Sequence, residues 1–274
     1  MKTRKLVDGT MRLGCMLATL LAVIPLFSVL AYVLTKGLGG LSWSFFVELP
    51  KPVGEPGGGF GNAILGSFVL LGIASAFGIP VGVLAGVYLS EFGSNRFGKA
   101  VRFCADVMAG VPSIVVGIFV YTWVVLFMGG FSALAGGIAL GILMLPTITR
   151  TTEELIKLIP NSLREAGLAL GMPKWRVILK VVLPAGISGI ATGVMLAIAR
   201  AFGETAPLLF TAFNNRFWSA SLDKPISSLP VQIYNYAISP YEEWHQQAWT
   251  AAMVLVLLVL VLNIAAKLLT RSRR

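Results

Sequence analysis

The chain has 274 residues, 56% of them hydrophobic and only 12% charged, and a mean hydropathy of +0.82; this balance excludes an ordinary soluble domain and places it among membrane proteins. Its formal net charge of +10 invites a nucleic-acid reading, but the basic residues are distributed along the chain as a topology signal and no nucleic-acid partner is expected. A single histidine, His245, excludes paired-histidine metal sites, and Cys15 and Cys104 lie 89 positions apart in apolar segments, where a structural role is expected of both.

Helices of about 20 apolar residues can cross a bilayer. In chain order the candidates are Leu13 to Thr35, Ala63 to Leu89, Val107 to Met128, Phe131 to Thr149, Pro184 to Phe213 and Trp249 to Ala266. The third and fourth form one uncharged tract divided at Gly129-Gly130, so six transmembrane helices are expected. Leu13-Gly14-Cys15 faintly resembles a lipoprotein cleavage site, but the apolar run follows the cysteine, and it is too long for a cleaved signal peptide. With the amino terminus in the cytoplasm, 17 Lys and Arg fall on the inner side and 4 on the outer, with Arg200 left inside a helix. Both termini are therefore expected in the cytoplasm.

The loops differ in character. Residues 36 to 62 are rich in Gly and Pro and carry Trp43, Phe45 and Phe46, which reads as a flexible outer loop with an interfacial anchor. It is no phosphate-cradling loop, because the chain lacks a Walker A lysine. In the second span Gly78, Gly82 and Gly86 share one helix face and predict a close approach by a neighbour, with a kink at Pro80. The last span, rich in Leu and Val, reads as peripheral. The large outer loop 214–248 holds Trp218, Tyr234, Tyr236, Tyr241 and Trp244, an interfacial or partner-facing aromatic cluster.

Residues 150–183 are too patterned for a passive connector. Asn161 or Ser162 is suited to cap a short helix, Gly171 to end it, and Pro173 to open the next. Glu165, Ala166 and Gly167, with Gly171 six residues after the glutamate and Leu183-Pro184 further on, resemble the EAA loop of permease subunits of bacterial ABC importers. Gly167, Leu170 and Val181 depart mildly from the usual Ala, Asp and Ile. The resemblance implies that Glu165, Ala166, Gly167 and Gly171 form a coupling helix docking on a separate ATPase, in contrast to a plain amphipathic helix lying on the bilayer.

The remaining anomaly is 198-IARAFGETAP-207. A charged side chain near the bilayer centre is retained only where it pairs or lines a wet cavity. Arg200 and Glu204, four apart, either neutralise one another as an intramembrane ion pair or border an anion path, for which arginine's planar fork is suited. Pro207, with Gly203 and Thr205, weakens the helix at that turn, and broken helices are typical of transport sites. Glu204 would then hold Arg200 between transport events or accept a hydrogen bond from a protonated oxyanion. Arg150 reads equally as a pathway residue or a positive-inside anchor, and Asp106 as a helix cap or a partner of Arg102.

The string from Ala199 to Ala212, with residues 110–121, 150–175, 217–220 and 229–240, closely resembles the PstA-type permease subunits of bacterial phosphate importers, from about residue 60 onward. The resemblance implies an all-α polytopic protein of the bacterial cytoplasmic (inner) membrane with the type I ABC importer permease fold. Its implied partners are a second permease subunit forming a heterodimer, a cytoplasmic ABC ATPase dimer, an outer phosphate-binding protein, either periplasmic or lipid-anchored, and membrane lipid. No cofactor is expected on this chain, ATP and Mg belonging to the ATPase, and no covalent chemistry is expected of it. The expected organisation is a cytoplasmic tail (1–12), a permease domain (13–269) with the coupling loop 150–183 and outer loop 214–248, and a second tail (270–274). Another oxyanion as cargo, a stand-alone channel or secondary transporter, and a sensory role are the alternatives.

Overall fold

The computed structural model describes residues 2–55 and 57–271; position 1 and positions 272–274, the ends of the two expected tails, lie outside it with position 56. The described residues form helices and no strand. In chain order they are α1 (Lys2–Gly37), α2 (Trp43–Val47), α3 (Gly61–Glu91), α4 (Arg96–Gly110), α5 (Ser113–Met128), α6 (Ala133–Lys157), α7 (Asn161–Ala169), α8 (Lys174–Phe202), α9 (Ala206–Leu209), α10 (Leu229–Ala237) and α11 (Glu242–Arg271).

Five of these, α1, α3, α6, α8 and α11, are long and apolar enough to cross a membrane, as their uninterrupted hydrophobic runs require. The expected third span is different. Instead of a straight helix from Val107 to Met128, α4 and α5 meet at 106° and make at most one broken span. Pro112 is the physical reason: it has no N–H to continue the helix and drives Val111 into extended backbone (ψ 130°). The fourth span runs past Thr149 to Lys157. The fifth begins ten residues ahead of Pro184, passing through a π turn at Ile178–Val182 just where the proline removes a donor.

The core is built on α3 and α6, which share the most extensive helix contact. The three glycines of α3 lie in it, as their spacing predicts. A Cβ at Gly82 would stand 2.8 Å from Ile148 Cβ, and one at Gly86 2.5 Å from Thr152 Cβ and 2.6 Å from the Thr149 carbonyl. α3 passes Pro80 as one continuous element. α11 packs along α1 and α10, with Tyr32 edge-on to Trp249 at 5.0 Å and Thr250 donating to the Gly37 carbonyl at 3.0 Å.

The segment expected to be a flexible loop is folded. Ser42 caps α2 by accepting from Phe45 N–H. Trp43 is exposed, as an anchor should be, whereas Phe45 is buried and stacks on Phe60 at 5.1 Å. Phe60 meets Tyr236 edge-on at 5.1 Å, and Tyr236 stacks on Trp244 at 4.4 Å. The two aromatic segments that looked independently interfacial thus build one cluster, with Trp218, Tyr234 and Tyr241 remaining exposed. His245 is spent locally, on the Ser239 carbonyl at 2.6 Å. Cys15 and Cys104 are free thiols on exposed helix faces.

The glycine contact is open to a direct test. Gly82→Ala and Gly86→Ala should each lower stability by about 1–3 kcal/mol through overpacking. Gly72→Ala, on the same helix with open space around it, should be neutral. Thermal unfolding of the three variants in detergent would measure the difference.

Candidate functional site

The helix holding Arg200 does break, one turn earlier than Pro207 suggests. α8 ends at Phe202, where the Gly203 and Glu204 N–H groups reach back three residues to the Arg200 and Ala201 carbonyls at 3.1 and 3.3 Å. Glu204 and Thr205 therefore lie between helices, and Pro207 serves in the first turn of α9, where its missing donor costs nothing. Thr205 accepts from Leu208 N–H at 3.1 Å through its carbonyl, while its side chain caps nothing.

Neighbouring helices hold this break closely. A Cβ at Gly117 of α5 would stand 2.6 Å from Pro207 Cα, and one at Gly136 of α6 2.8 Å from Ala212 Cβ, so both glycines exist to admit the turn. Thr211 donates to the Pro207 carbonyl at 2.8 Å. Phe213 takes a left-handed backbone (φ 60°), uncommon for a bulky residue, and stacks on Phe131 at 4.9 Å. Phe202, at the end of α8, meets Phe68 of α3 at 5.5 Å.

Within this frame Arg200 Nε lies 3.5 Å from Glu204 Oε1, with the arginine side chain 54% exposed and the carboxylate 16%. This is a loose pair with one side open. The guanidinium also sits in the last helical turn, where the helix dipole favours a cation.

Arg150 is elsewhere, in a tight network at the basic end of the helices. Its Nε and Nη2 donate to the two Asp106 carboxylate oxygens, both at 2.8 Å, tying α6 to α4. Arg102 does not pair with Asp106; its Nε donates to Glu153 at 2.6 Å, and its two other nitrogens satisfy the Gly93 and Leu89 carbonyls at 2.7 Å. Glu153 is fully buried and gathers Arg102, Arg150 and Lys157. The sequence reading missed Glu153, although a glutamate three residues after Arg150 and four before Lys157 on one helix carried the signal. The structure brings Arg200 and Glu204 together, leaves Thr205 next to Glu204 in the break without a side-chain hydrogen bond to either, and places Arg150 in this separate cluster.

The patterned loop forms one short helix, α7; the second expected short helix, opened behind Pro173, is the first turn of α8 and runs on into the fifth span. α7 starts at Asn161 behind Pro160, without a side-chain cap from Asn161 or Ser162. Gly171 ends it in the left-handed region (φ 78°), and Met172 N–H reaches the Gly167 carbonyl at 3.3 Å. Gly167 faces inward, where a Cβ would stand 3.0 Å from Val177. Glu165 and Ala166 face outward, as do Leu163 and Leu170, an apolar row at helical spacing open to a partner.

Comparison with solved structures defines the class. The chain superposes with a TM-score of 0.68 on a bacterial ABC transporter involved in import of the polysaccharide alginate, at 17% identity over 98% of this chain and 99% of that one. It superposes at 0.63 on an inward-facing methionine ABC transporter, at 20% identity over 78% and 93%. The fold is that of an ABC importer permease.

Residues 78–274 match the family described as binding-protein-dependent transport system inner membrane component. Phosphate transport system permease proteins PstA are similar along nearly the whole chain. The one from Yersinia pestis is 47% identical over 94% of this chain and 88% of its own, and that from Haemophilus influenzae 44% over 90% and 87%. A PstA 1 from Mycobacterium tuberculosis is 37% identical over 92% and 85%. This chain belongs to that family of inner-membrane permeases, on its PstA-type branch.

The buried carboxylate yields a prediction. Glu153→Ala takes the shared carboxylate from Arg102, Arg150 and Lys157, leaving Asp106 to Arg150 and the Gly93 and Leu89 carbonyls to Arg102, and should destabilise the protein by about 2–3 kcal/mol, less than a fully dry network would lose, because the cations keep partial access to solvent. Asp106→Asn, at an exposed partner, should cost under about 1 kcal/mol. Unfolding in detergent would rank the two.

Proposed function

We propose that this chain is a permease subunit of an ATP-driven importer of inorganic phosphate, and that the broken turn at Arg200, Glu204 and Thr205 borders the anion path. The observation that carries this reading is the exposure of Arg200. More than half of its side chain is uncovered, at the end of a long apolar helix. Lipid is no tolerable surrounding for a guanidinium. What covers it is a second permease subunit, water, or cargo, and a heterodimer with a central wet path supplies all three.

The donor set suits phosphate. Among the described residues Arg200 makes one ionic contact, at 3.5 Å, so most of its five N–H donors remain for a tetrahedral oxyanion. Glu204 keeps the guanidinium in place between transport events and accepts a hydrogen bond from monoprotonated phosphate. The names of the PstA-type relatives support the choice of cargo. Arg150 fits a role at the basic end of the path less well than a structural one, since Asp106 and Glu153 engage its fork.

Coupling belongs to α7. Its outward Leu163, Ala166 and Leu170 with Glu165 offer a lever face to a cytoplasmic ATPase dimer, which carries the ATP and Mg, and Gly167 lets the inner face seat on Val177. An outer phosphate-binding protein delivers the cargo, and both termini lie in the cytoplasm, where the basic loops are.

The test is uptake of radiolabelled phosphate, with sulfate as competitor, in cells carrying the complete importer at matched membrane levels. Arg200→Gln should reduce uptake about tenfold or more, the effect of losing one charge-assisted hydrogen-bonding partner. Glu204→Gln should alter uptake or selectivity. Normal uptake by Arg200→Gln with the importer assembled would make Arg200 a structural partner of Glu204 only.

A further inference from the structure

A second buried ion pair lies beneath α7. Glu91, the last residue of α3, is only 6% exposed at its side chain, and Arg164 of α7 only 18%. Arg164 Nε and Nη2 both donate to Glu91 Oε1, at 3.0 and 2.8 Å. Its other hydrogen bonds go to the end of α6 and the following link, Nη2 to the Ile156 carbonyl at 3.0 Å and Nη1 to the Ile159 carbonyl at 2.6 Å, with Nη1 also donating to Asn161 Oδ1 of α7 at 3.3 Å. Lys174, opening α8, donates to the Glu91 carbonyl at 3.1 Å and lies 4.2 Å over the Phe92 ring.

A carboxylate at a helix C-terminus opposes the helix dipole, and its burial costs further free energy unless fully paired. Glu91 is therefore badly placed for the stability of α3 itself. It is well placed to receive Arg164. One guanidinium from the lever helix grips the ends of both α3 and α6, the two helices locked together by Gly78, Gly82 and Gly86. From Glu91, α3 runs about 35 Å to Phe68, which meets Phe202 beside the broken turn. Ser67 there accepts the Leu229 N–H at 2.8 Å.

We propose that Glu91 and Arg164 are positioning residues that form the joint through which motion of α7 enters the α3–α6 body and reaches the turn holding Arg200. The inference rests on the transport reading above. α3 is the strut, its glycine face fixes it to α6, and the ion pair decides whether α7 pushes the strut or slides past it. Breaking the pair separates ATP hydrolysis from phosphate movement.

The experiment uses the complete importer in inverted membrane vesicles and proteoliposomes, measuring phosphate moved, ATP hydrolysed and co-purification of the ATPase. The variants are the near-isosteric Glu91→Gln, Arg164→Gln, and the exchange Glu91→Arg with Arg164→Glu. Each single variant should keep the ATPase bound and hydrolysing while phosphate moved per ATP falls about tenfold, within the range of a coupling of one to two kcal/mol; the exchange should recover much of the ratio. An unchanged ratio in both single variants overturns the joint, as does a proportionate loss of hydrolysis and uptake or failure of both to assemble, since the pair would then only build the loop. A native importer that moves no phosphate would refute the transport reading itself.

Discussion

The arrangement depends on one contact, the glycine face of α3 against α6. Without Cβ atoms at Gly78, Gly82 and Gly86 the two backbones approach until side chains of one helix touch the main chain of the other. In a bilayer, where lipid tails are as apolar as leucine, such dispersion contact replaces the hydrophobic drive that assembles soluble cores. The consequence is a rigid pair to which other parts are attached at both ends. Arg102 and Arg164 fasten α4 and α7 at one end; Phe68, Ser67 and Gly136 receive the turn after α8 and the start of α10 at the other.

The two ends differ in their electrostatics. At the basic end each buried carboxylate meets an arginine at 2.6 to 2.8 Å, with carbonyls filling the remaining donors. Such networks, once satisfied, resist rearrangement. At the broken turn Arg200 has, among the described residues, one ionic partner, at 3.5 Å, and nothing of the bidentate geometry around Arg150 is repeated. One end is built to stay together, and the other leaves its donors uncommitted.

Much of this was legible in the sequence because the bilayer makes strong demands. Long apolar runs must be helical, three glycines at four-residue spacing must share a face, and Gly171 must end a helix. What was lost has two causes: local breakers received too little weight beside hydrophobicity, and contacts between segments far apart in the chain leave little local pattern. Pro112 bends α4 against α5 inside an uncharged tract that looked continuous. Gly203 ends α8 before Pro207 acts. Phe45 looked like an anchor because the ring it stacks on, Phe60, is itself held by Tyr236, which is remote in sequence. The burial of Glu153 and Glu91 is set by distant helices; only Glu153, three residues after Arg150 and four before Lys157, carried a local trace of its partners.

Arg200 illustrates why the isolated chain and the working assembly must be read together. A guanidinium that binds a transported anion has to release it, so it cannot hold a permanent counterion by two short hydrogen bonds, nor can it be left alone in lipid. Under the proposed function, a single carboxylate four residues away, placed past a helix break, would meet both demands by neutralising the charge loosely, at 3.5 Å, when no anion is bound. The break takes Glu204 out of the regular four-residue ladder, its N–H reaching the Ala201 carbonyl at 3.3 Å instead of that of Arg200. Gly117 and Gly136, packed on Pro207 and Ala212, hold the chain closely just past that break.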